Sequence, residues 1–378
     1  MNVVIATTGT GGELFPGIAV AQALKGHNLL FVVSGLGSEE ETLKRYQFSY
    51  ERIAVGRLKG QNMIAGVRTL IGLPKTLWSA QHILRKFGAQ VVFGLGGYSA
   101  GPVVLASYFL KIPRAILEPN AVPGLTNRLL WRFSNQIYTA FPGMERYFPG
   151  RETLWTGLPV RGEIERIGEK KEGGFSLLVF GGSRGAQSIN RLMFEAVPIL
   201  LQSNPSIKIL HQTGQNHFES AEKKYRELGL LGNQLRVVPF IQDMGEAYRE
   251  ADLVVSRAGA STIAELIVAG RPAIFIPYPH AARNHQEENA RALERVGGAK
   301  VFREGELAVE GGKRLAQEIV TLASDPSRLS AMKKSILNMP GRGAAEKIAT
   351  SLINLGRTGG LRSGARPPAT GEDGWAEP

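Results

Sequence analysis

The chain of 378 residues has no cysteine. That absence excludes a disulfide scaffold, a thiolate-held zinc and a thiol nucleophile, and it fits a reducing compartment. Aspartate is nearly as scarce. Only Asp243, Asp252, Asp325 and Asp373 occur, and no two lie within three residues of each other. A divalent-ion site built on paired aspartates, a common carrier of a bound diphosphate, is therefore not expected. No apolar run in the sequence reaches the ~18–20 residues that a membrane-spanning helix needs. The opening MNVVIATTGTGG has no basic segment and reads as a strand and glycine loop rather than a secretory leader. A Gly-x-Ser-x-Gly elbow and a Walker lysine are missing too. No GxGxxG is followed by an acid about 20 residues on, so the ribose grip of a nicotinamide enzyme is absent.

What is present is glycine and positive charge. Glycine supplies 46 residues and hydrophobic residues 43%, the composition of an α/β protein with many tight turns and enough length for two cores. The formal net charge is +12, and it is uneven. Between Arg52 and Arg132 eleven Lys/Arg face one acid, Glu118. Solubility is the plain explanation of such a charge, but clustering favours an anionic partner: nucleic acid, an anionic membrane or a phosphate-rich substrate.

Apolar runs place strands at 2–8, 28–34, 50–54, 90–95, 113–117 and 135–139, with helices from near Pro16, over 38–46, to about 110, and from Gly124 to Arg132. Residues 57–87 form a long helical candidate in which Pro74 marks a break or kink. Its apolar positions outnumber one core-facing stripe, and Arg68, Lys75, Arg85 and Lys86 are interleaved among them. Core packing accounts for most of these positions. An apolar ridge rimmed by cations is also the pattern of a membrane-surface contact. Residues 162–174, GEIERIGEKKEGG, read as a linker, after which the pattern restarts. Strands follow at 175–180, 207–211, 235–238, 251–255 and at AIFIP, then helix from 301 to about 355 and a disordered tail over 356–378. The alternation predicts two doubly wound, parallel-sheet, Rossmann-like α/β domains facing a cleft. Ligands in such sheets sit beyond the carboxyl ends of the strands, so loops 9–13, 96–101 and 118–120 are expected to share a crevice.

Candidate chemistry concentrates in Ser256–Asn289. Ser256 and Ala258-Gly259-Ala260 let backbone N–H groups approach a ligand at a helix start. Thr262 and Glu265 share a helix face. A carboxylate holds both hydroxyls of a ribose, and the amides and imidazole of Asn284, His285, Gln286 and Asn289 suit sugar hydroxyls. An ordinary capped βαβ unit has the same outline. With few aspartates, diphosphate charge would fall to backbone N–H groups, helix N-termini and arginine, which suits the loop 181–186 and Arg161. Glu13, at a helix start, is either a dipole-matched cap or a general base. His211, His280 and His285 stand at element ends, where function is plausible, whereas His27 and His82 read as surface or packing residues.

Taken in order, nine motifs resemble the MurG glycosyltransferases over about residues 1–355. They are GTGGELFPGIAVA (9–21), GGYSAGPVVLA (96–106), EPNAVPGLTNRLL (118–130), TGLPVR (156–161), GGSRGAQSIN (181–190), HQTG (211–214), FIQDM (240–244), SRAGASTIAEL (256–266) and the run His285-Gln286 to Asn289-Ala290. The resemblance implies a GT-B fold, with an acceptor and membrane domain over 1–161, a UDP-GlcNAc domain over 162–339 and a last helix, about 340–355, packing back on the first. It implies inverting transfer of N-acetylglucosamine from UDP-GlcNAc to lipid I on undecaprenyl diphosphate. No cofactor and no chemically participating metal is implied, and the partner surface is the anionic cytoplasmic face of the bacterial membrane rather than nucleic acid. On the donor side it places Thr10, Gly11, Gly12, Arg161, Ser183, Ile241, Glu265, His285 and Gln286, with Glu265 on the ribose and the Ile241 backbone on uracil. On the acceptor side it places Tyr98, Ser99, Asn120 and Asn127. The family's first loop usually reads GTGGH, and here Glu13 replaces that histidine as the candidate base. Its usual E-Q-N is here Glu118-Pro119-Asn120. A UDP-GlcNAc 2-epimerase of the same fold, or a non-catalytic paralogue binding sugar nucleotide or membrane, remain the rival readings.

Overall fold

The computed structural model describes residues 1–8, 11–35, 39–54, 63–170 and 173–359, the side chains of 63–72 and of Tyr98 excepted. The expected tail lies almost wholly outside these residues, as do Thr10 and the start of the long helical candidate.

Seven parallel strands form the first sheet: β1 (Asn2–Ala6), β2 (Asn28–Val33), β3 (Tyr50–Arg52), β4 (Val91–Gly94), β5 (Arg114–Glu118), β6 (Gln136–Thr139) and β7 (Thr153–Trp155). Their spatial order is β3-β2-β1-β4-β5-β6-β7. The connecting helices are α1 (Gly11–Ala23), α2 (Glu39–Arg45), α3 (Met63–Phe87), α4 (Gly97–Phe109) and α5 (Leu125–Leu130). Helices on both faces leave the central strands little contact with water, so Val3–Ala6 of β1, Val91–Phe93 of β4 and Ala115–Leu117 of β5 are apolar and at most 1% exposed. Helix α3 continues through Pro74, which removes one backbone bond without ending the element.

A short helix, α6 (Gly162–Glu165), opens the connection to the second sheet. That sheet holds β8 (Ser176–Phe180), β9 (Lys208–Gln212), β10 (Leu235–Val238), β11 (Leu253–Ser256), β12 (Ala273–Phe275) and β13 (Ala299–Val301), ordered β10-β9-β8-β11-β12-β13 and parallel. Its helices are α7 (Gln187–Ser203), α8 (Phe218–Glu227), α9 (Met244–Glu250), α10 (Ala260–Ala269), α11 (His285–Arg295), α12 (Gly311–Ala323), α13 (Pro326–Leu337) and α14 (Ala344–Arg357). The helical region expected after 301 is divided into three α-helices. Asp325 caps α13 by accepting from Arg328 N at 2.9 Å, and Pro326 occupies its first turn. Two edge strands, β7 and β13, go beyond the sequence reading, because three residues are too few to show a periodicity.

Helix α14 returns to the first sheet and packs on α1 and β4. Ala345, Ile348, Ala349 and Leu352 are buried there, and the Tyr138 hydroxyl donates to Ser351 Oγ at 2.8 Å. Strand order reverses between β1 and β4 and again between β8 and β11, so each sheet has one switch point. The loops at these two points carry the candidate chemistry.

Candidate active site

Helix α1 starts at Gly11, ahead of the expected start near Pro16, so Glu13 lies in its first turn and Pro16 inside it. Proline has no N–H for the carbonyl four residues back, which is Gly12. The Gly12 carbonyl instead accepts from the Ser261 hydroxyl at 3.3 Å, at the start of α10 on the other domain. The tertiary contact thus satisfies the acceptor that the proline leaves open.

Glu13 is held by the Thr8 hydroxyl, which donates to Oε2. Both crowd the turn into α4. A Cβ on Gly97, whose φ is +74°, would fall 2.1 Å from Thr8 Oγ1 and 2.8 Å from Glu13 Oε2, so only glycine fits. A Cβ on Gly96 would stand 3.7 Å from Asn127 Nδ2 and 3.9 Å from Glu13 Oε1, which sets Asn127 and Glu13 around one turn. The first turn of α1, the turn at 96–97 and the segment 118–127 therefore meet, as the topology required.

Glu118, 1% exposed, organises the loop that follows β5. Its Oε1 accepts from Asn120 N at 3.0 Å and Nδ2 at 3.2 Å; its Oε2 accepts from Gly124 N at 3.0 Å and Asn127 Nδ2 at 2.8 Å. Burial raises its carboxyl pKa and these four donors oppose the rise. Two expected acceptor ligands have other work here. Ser99 is fully buried and donates to the Thr7 carbonyl, tying α4 to the end of β1. Asn127 is 2% exposed and donates to Leu117 O at 2.9 Å besides Glu118. Both are held by these bonds within the loops they belong to. The Tyr98 side chain is outside the described residues.

Across the cleft, the loops after β8 and β9 interlock. A Cβ on Gly185 would lie 1.9 Å from Thr213 O, and one on Gly214 2.1 Å from Arg184 O. Gln212 Nε2 donates to Gly182 O at 2.9 Å and Asn190 Nδ2 to Thr213 O at 3.0 Å. These bonds fix the loop that presents Ser183, which is exposed. His211 is wholly buried between the Tyr225 hydroxyl (2.9 Å) and Asn190 Oδ1 (3.1 Å). Burial lowers its pKa to about 3, so it is a neutral packing residue rather than a functional one. His280 is exposed, edge-on to Tyr278. Neither α7 nor α10 has a side-chain cap, so their first-turn N–H groups face the cleft end of the sheet uncapped by side chains.

Glu265 on α10 is paired with Arg161, Nη2 to Oε1 at 3.1 Å, although 104 residues separate them. The Tyr248 hydroxyl donates to Oε2 at 3.0 Å. Arg161 also pairs with Glu163 at 2.9 Å and lies 5.4 Å over the Phe15 ring of α1. Burial raises the Glu265 pKa; Arg161 and Tyr248 counter it. A carboxylate has about four lone-pair sites, so two partners leave room for ligand hydroxyls. Ile241, 7% exposed, lines a cavity of about 540 Å³ beside α9, whose cap is Asp243 accepting from Glu246 N at 2.8 Å.

The turn into α11 is strained: Arg283 (φ +51°) and Asn284 (φ +57°) are both left-handed and neither is glycine. It sets His285, partly buried, and Gln286, whose Oε1 accepts from Tyr278 N at 3.0 Å. Asn289, one turn further along α11, is sealed against the first domain. It is fully buried and bonded to the first domain, at Ala121 N (2.8 Å) and Asn120 Oδ1 (3.1 Å). Arg257 was not a sequence candidate, yet it ties the start of α10 to its surroundings. Its guanidinium donates to the Ile276 and Pro277 carbonyls at 2.8 and 3.0 Å and to Ser188 at 2.8 Å, and pairs with Glu304 at 2.5 Å. Its only sequence signal was its place in SRAG.

On the outer side of the first domain, α3, α4 and α5 pack side by side and expose Trp78 (67%), Leu129 (61%), Phe109 (56%), Leu125 and Tyr108. Beside α5 a hollow of about 340 Å³ is lined by Arg128, Arg132, Arg146, Trp131 and Tyr147. Among the described residues none of these arginines is in an ion pair with a carboxylate. No helix among the described residues is long and apolar enough to cross a membrane.

Models of glycosyltransferase family 28 match both halves of the chain, the N-terminal domain at residues 3–139 and the C-terminal domain at 176–348. The UDP-N-acetylglucosamine–N-acetylmuramyl-(pentapeptide) pyrophosphoryl-undecaprenol N-acetylglucosamine transferase of Myxococcus xanthus (strain DK1622) is 40% identical over 365 residues, 94% of this chain and 93% of its own. The enzyme of the same description from Geobacter sulfurreducens is 40% identical over 366 residues, 93% of this chain and 98% of its own. The crystal structure of Acinetobacter baumannii MurG superposes with a TM-score of 0.77 at 30% identity, covering 93% of this chain and 99% of that one. A UDP-GlcNAc 2-epimerase from Neisseria meningitidis, bound to UDP-GlcNAc, has a TM-score of 0.66 at 14% identity over 94% of this chain and 100% of that one, a likeness of fold alone.

Proposed function

The chain belongs to glycosyltransferase family 28, among its MurG transferases, and from that membership we propose how its cleft is used. The enzyme transfers N-acetylglucosamine from UDP-GlcNAc to lipid I, giving lipid II for peptidoglycan. The epimerase reading is not favoured, because likeness to epimerases is confined to the fold.

The observation that carries the donor site is the Arg161–Glu265 pair, which joins the segment at the domain junction to the middle of α10, the helix that leaves the second switch point. Glu265 takes the ribose hydroxyls. The Ile241 backbone reads uracil. The departing diphosphate is met by Ser183, Arg161, the N–H groups at the starts of α7 and α10, and Gly11-Gly12 at the start of α1. His285 and Gln286 read the sugar; the Gln286 amide nitrogen has no partner among the described residues. Residues 1–161, with α14 packed on them, form the acceptor side, and 162–339 the donor side. The loop at 118–124 and the glycine turn at 96–97 take the acceptor diphosphate, with Tyr98 and Asn120 beside it.

In the transfer the acceptor C4 hydroxyl attacks the anomeric carbon from the face opposite UDP. The C–O bond to the diphosphate breaks, and the configuration inverts. Glu13 accepts the hydroxyl proton. The Thr8 hydroxyl and the α4 turn hold its carboxylate in one rotamer. The exposed apolar side chains of α3–α5 and the adjacent arginines dock on the anionic cytoplasmic leaflet, where the acceptor lipid resides.

The test is incubation with UDP-GlcNAc and a short-chain lipid I analogue. UDP release that requires acceptor supports the reading. Formation of UDP-ManNAc without acceptor, or binding without turnover, refutes it. Glu13→Gln should cut turnover severely and leave donor affinity near its original value; unchanged turnover removes Glu13 as base.

A further inference from the structure

Asn289 lies in the second turn of α11 and has no exposed surface. A buried amide needs partners, and both of its side-chain bonds cross to the other domain. Oδ1 accepts from Ala121 N at 2.8 Å, and Nδ2 donates to Asn120 Oδ1 at 3.1 Å. One carboxamide thus engages a backbone and a side chain of the same loop, which fixes orientation as well as distance.

Neither end is loose. Asn120 is held at N and Nδ2 by the buried Glu118 carboxylate, which also holds Gly124 and Asn127, so the whole turn behaves as one block. On the donor side Asn289 follows His285 by four residues and Gln286 by three, on the same face of one helix. A continuous path of bonds therefore runs from Glu118 through Asn120 and Asn289 to the start of α11. The Ser261–Gly12 bond makes a second crossing at α10. If the domains part, the Asn289 amide, the Asn120 side-chain carbonyl and the Ala121 N–H all gain water, so the lock can open without stranding a buried polar group.

We propose that Asn289 is a positioning residue for the transfer: it locks the donor-sugar end of α11 to the Glu118–Gly124 loop, bringing sugar and acceptor into register in the closed cleft. The proposal rests on the placement of the sugar at His285 and Gln286. Asn289 touches neither substrate, so its removal should be felt in turnover and not in donor binding.

The test compares Asn289→Ala, Asn120→Ala and the double variant for transfer to a short-chain lipid I analogue and for UDP-GlcNAc binding by calorimetry. Asn289→Ala should lower kcat on the order of 10- to 100-fold, the scale of a misplacement of about 1 Å. Donor affinity without acceptor should stay near the original value. The double variant should be no slower than the slower single one, because both remove the same contact. One fluorophore on each domain supplies a readout that a merely structural residue would not move: with donor bound, the interdomain distance distribution should broaden in Asn289→Ala while Tm holds. Asn120 is only half buried, so Asn120→Ala carries the distance measurement should Asn289→Ala fail to fold. Single effects that multiply in the double variant, donor affinity falling in step with kcat, or an unchanged distance distribution would each overturn the proposal. Gln286→Ala separates the two readings. Unchanged donor affinity there refutes the sugar placement, whereas the Asn120–Asn289 cycle judges the lock itself.

Discussion

Replacing Glu265 should remove the ability to distinguish ribose from deoxyribose, and the structure sets the size of the effect. The carboxylate is held by Arg161 at 3.1 Å and the Tyr248 hydroxyl at 3.0 Å, so it is already oriented before a ligand arrives. Hydroxyls left unmet on its removal cost about 1–3 kcal/mol, a loss of roughly 5- to 150-fold in Kd for UDP. Glu265→Ala carries a second cost. It leaves the wholly buried Tyr248 hydroxyl unbonded and Arg161 with Glu163 alone, a loss of stability of about 1–3 kcal/mol. Glu265→Gln keeps the volume and an oxygen, and should be the milder variant in thermal unfolding. Calorimetry with UDP and 2′-deoxy-UDP separates binding from stability, because partial unfolding cancels in the ratio of the two affinities. The unaltered enzyme should prefer UDP, and Glu265→Ala should bind both about equally. The preference should also fade on the acid side earlier than for an ordinary glutamate, since burial raises this carboxyl and the protonated form loses acceptor capacity. An undiminished preference in Glu265→Ala would refute the ribose assignment.

Other consequences can be measured independently. His211 has a folded pKa of about 3 against 6.5 unfolded, so the stability it confers is complete above pH 6.5 and is lost as pH falls towards 3; the slope is about 1.4 kcal/mol per pH unit, or about 2 kcal/mol by pH 5. His211→Gln should flatten that part of a urea-denaturation series, and an unchanged slope would count against the buried neutral ring. Gly97→Ala forces a Cβ against Thr8 and Glu13 at φ +74°, costing about 1–2 kcal/mol in backbone strain alone; steady-state kinetics should show lower kcat with donor affinity retained. Trp78→Glu combined with Leu129→Glu should weaken sedimentation with anionic vesicles by roughly tenfold or more, while transfer to a short-chain acceptor in detergent persists. Equal sedimentation would place the membrane face elsewhere.

Strand runs and glycine turns were plain in the sequence because a doubly covered parallel strand must be apolar throughout and a strand-to-helix turn at a switch point must be tight. Val3–Ala6 and Val91–Phe93 show the first, and Gly96-Gly97 and Gly181-Gly182 the second. The same signals misplace elements where local rules compete with distant partners. Pro16 suggested a helix start, but Ser261 supplies a donor for the Gly12 carbonyl and the helix begins at Gly11. Edge strands β7 and β13 are too short to carry a pattern. Ser99 and His211 looked available because hydroxyl and imidazole are chemically versatile. Only packing reveals that both are sealed inside.

By itself the sequence determined the two-sheet α/β architecture and which loops gather at the strand ends, since both follow from local periodicity and the steric demands of turns. The tertiary structure decided which polar groups work together. Arg161 and Glu265 are 104 residues apart, and Asn120 and Asn289 are 169 apart. An amide or a carboxylate leaves no trace in a sequence of the partner it will face. That pairing is fixed only when the two sheets close on each other and every buried donor must find an acceptor.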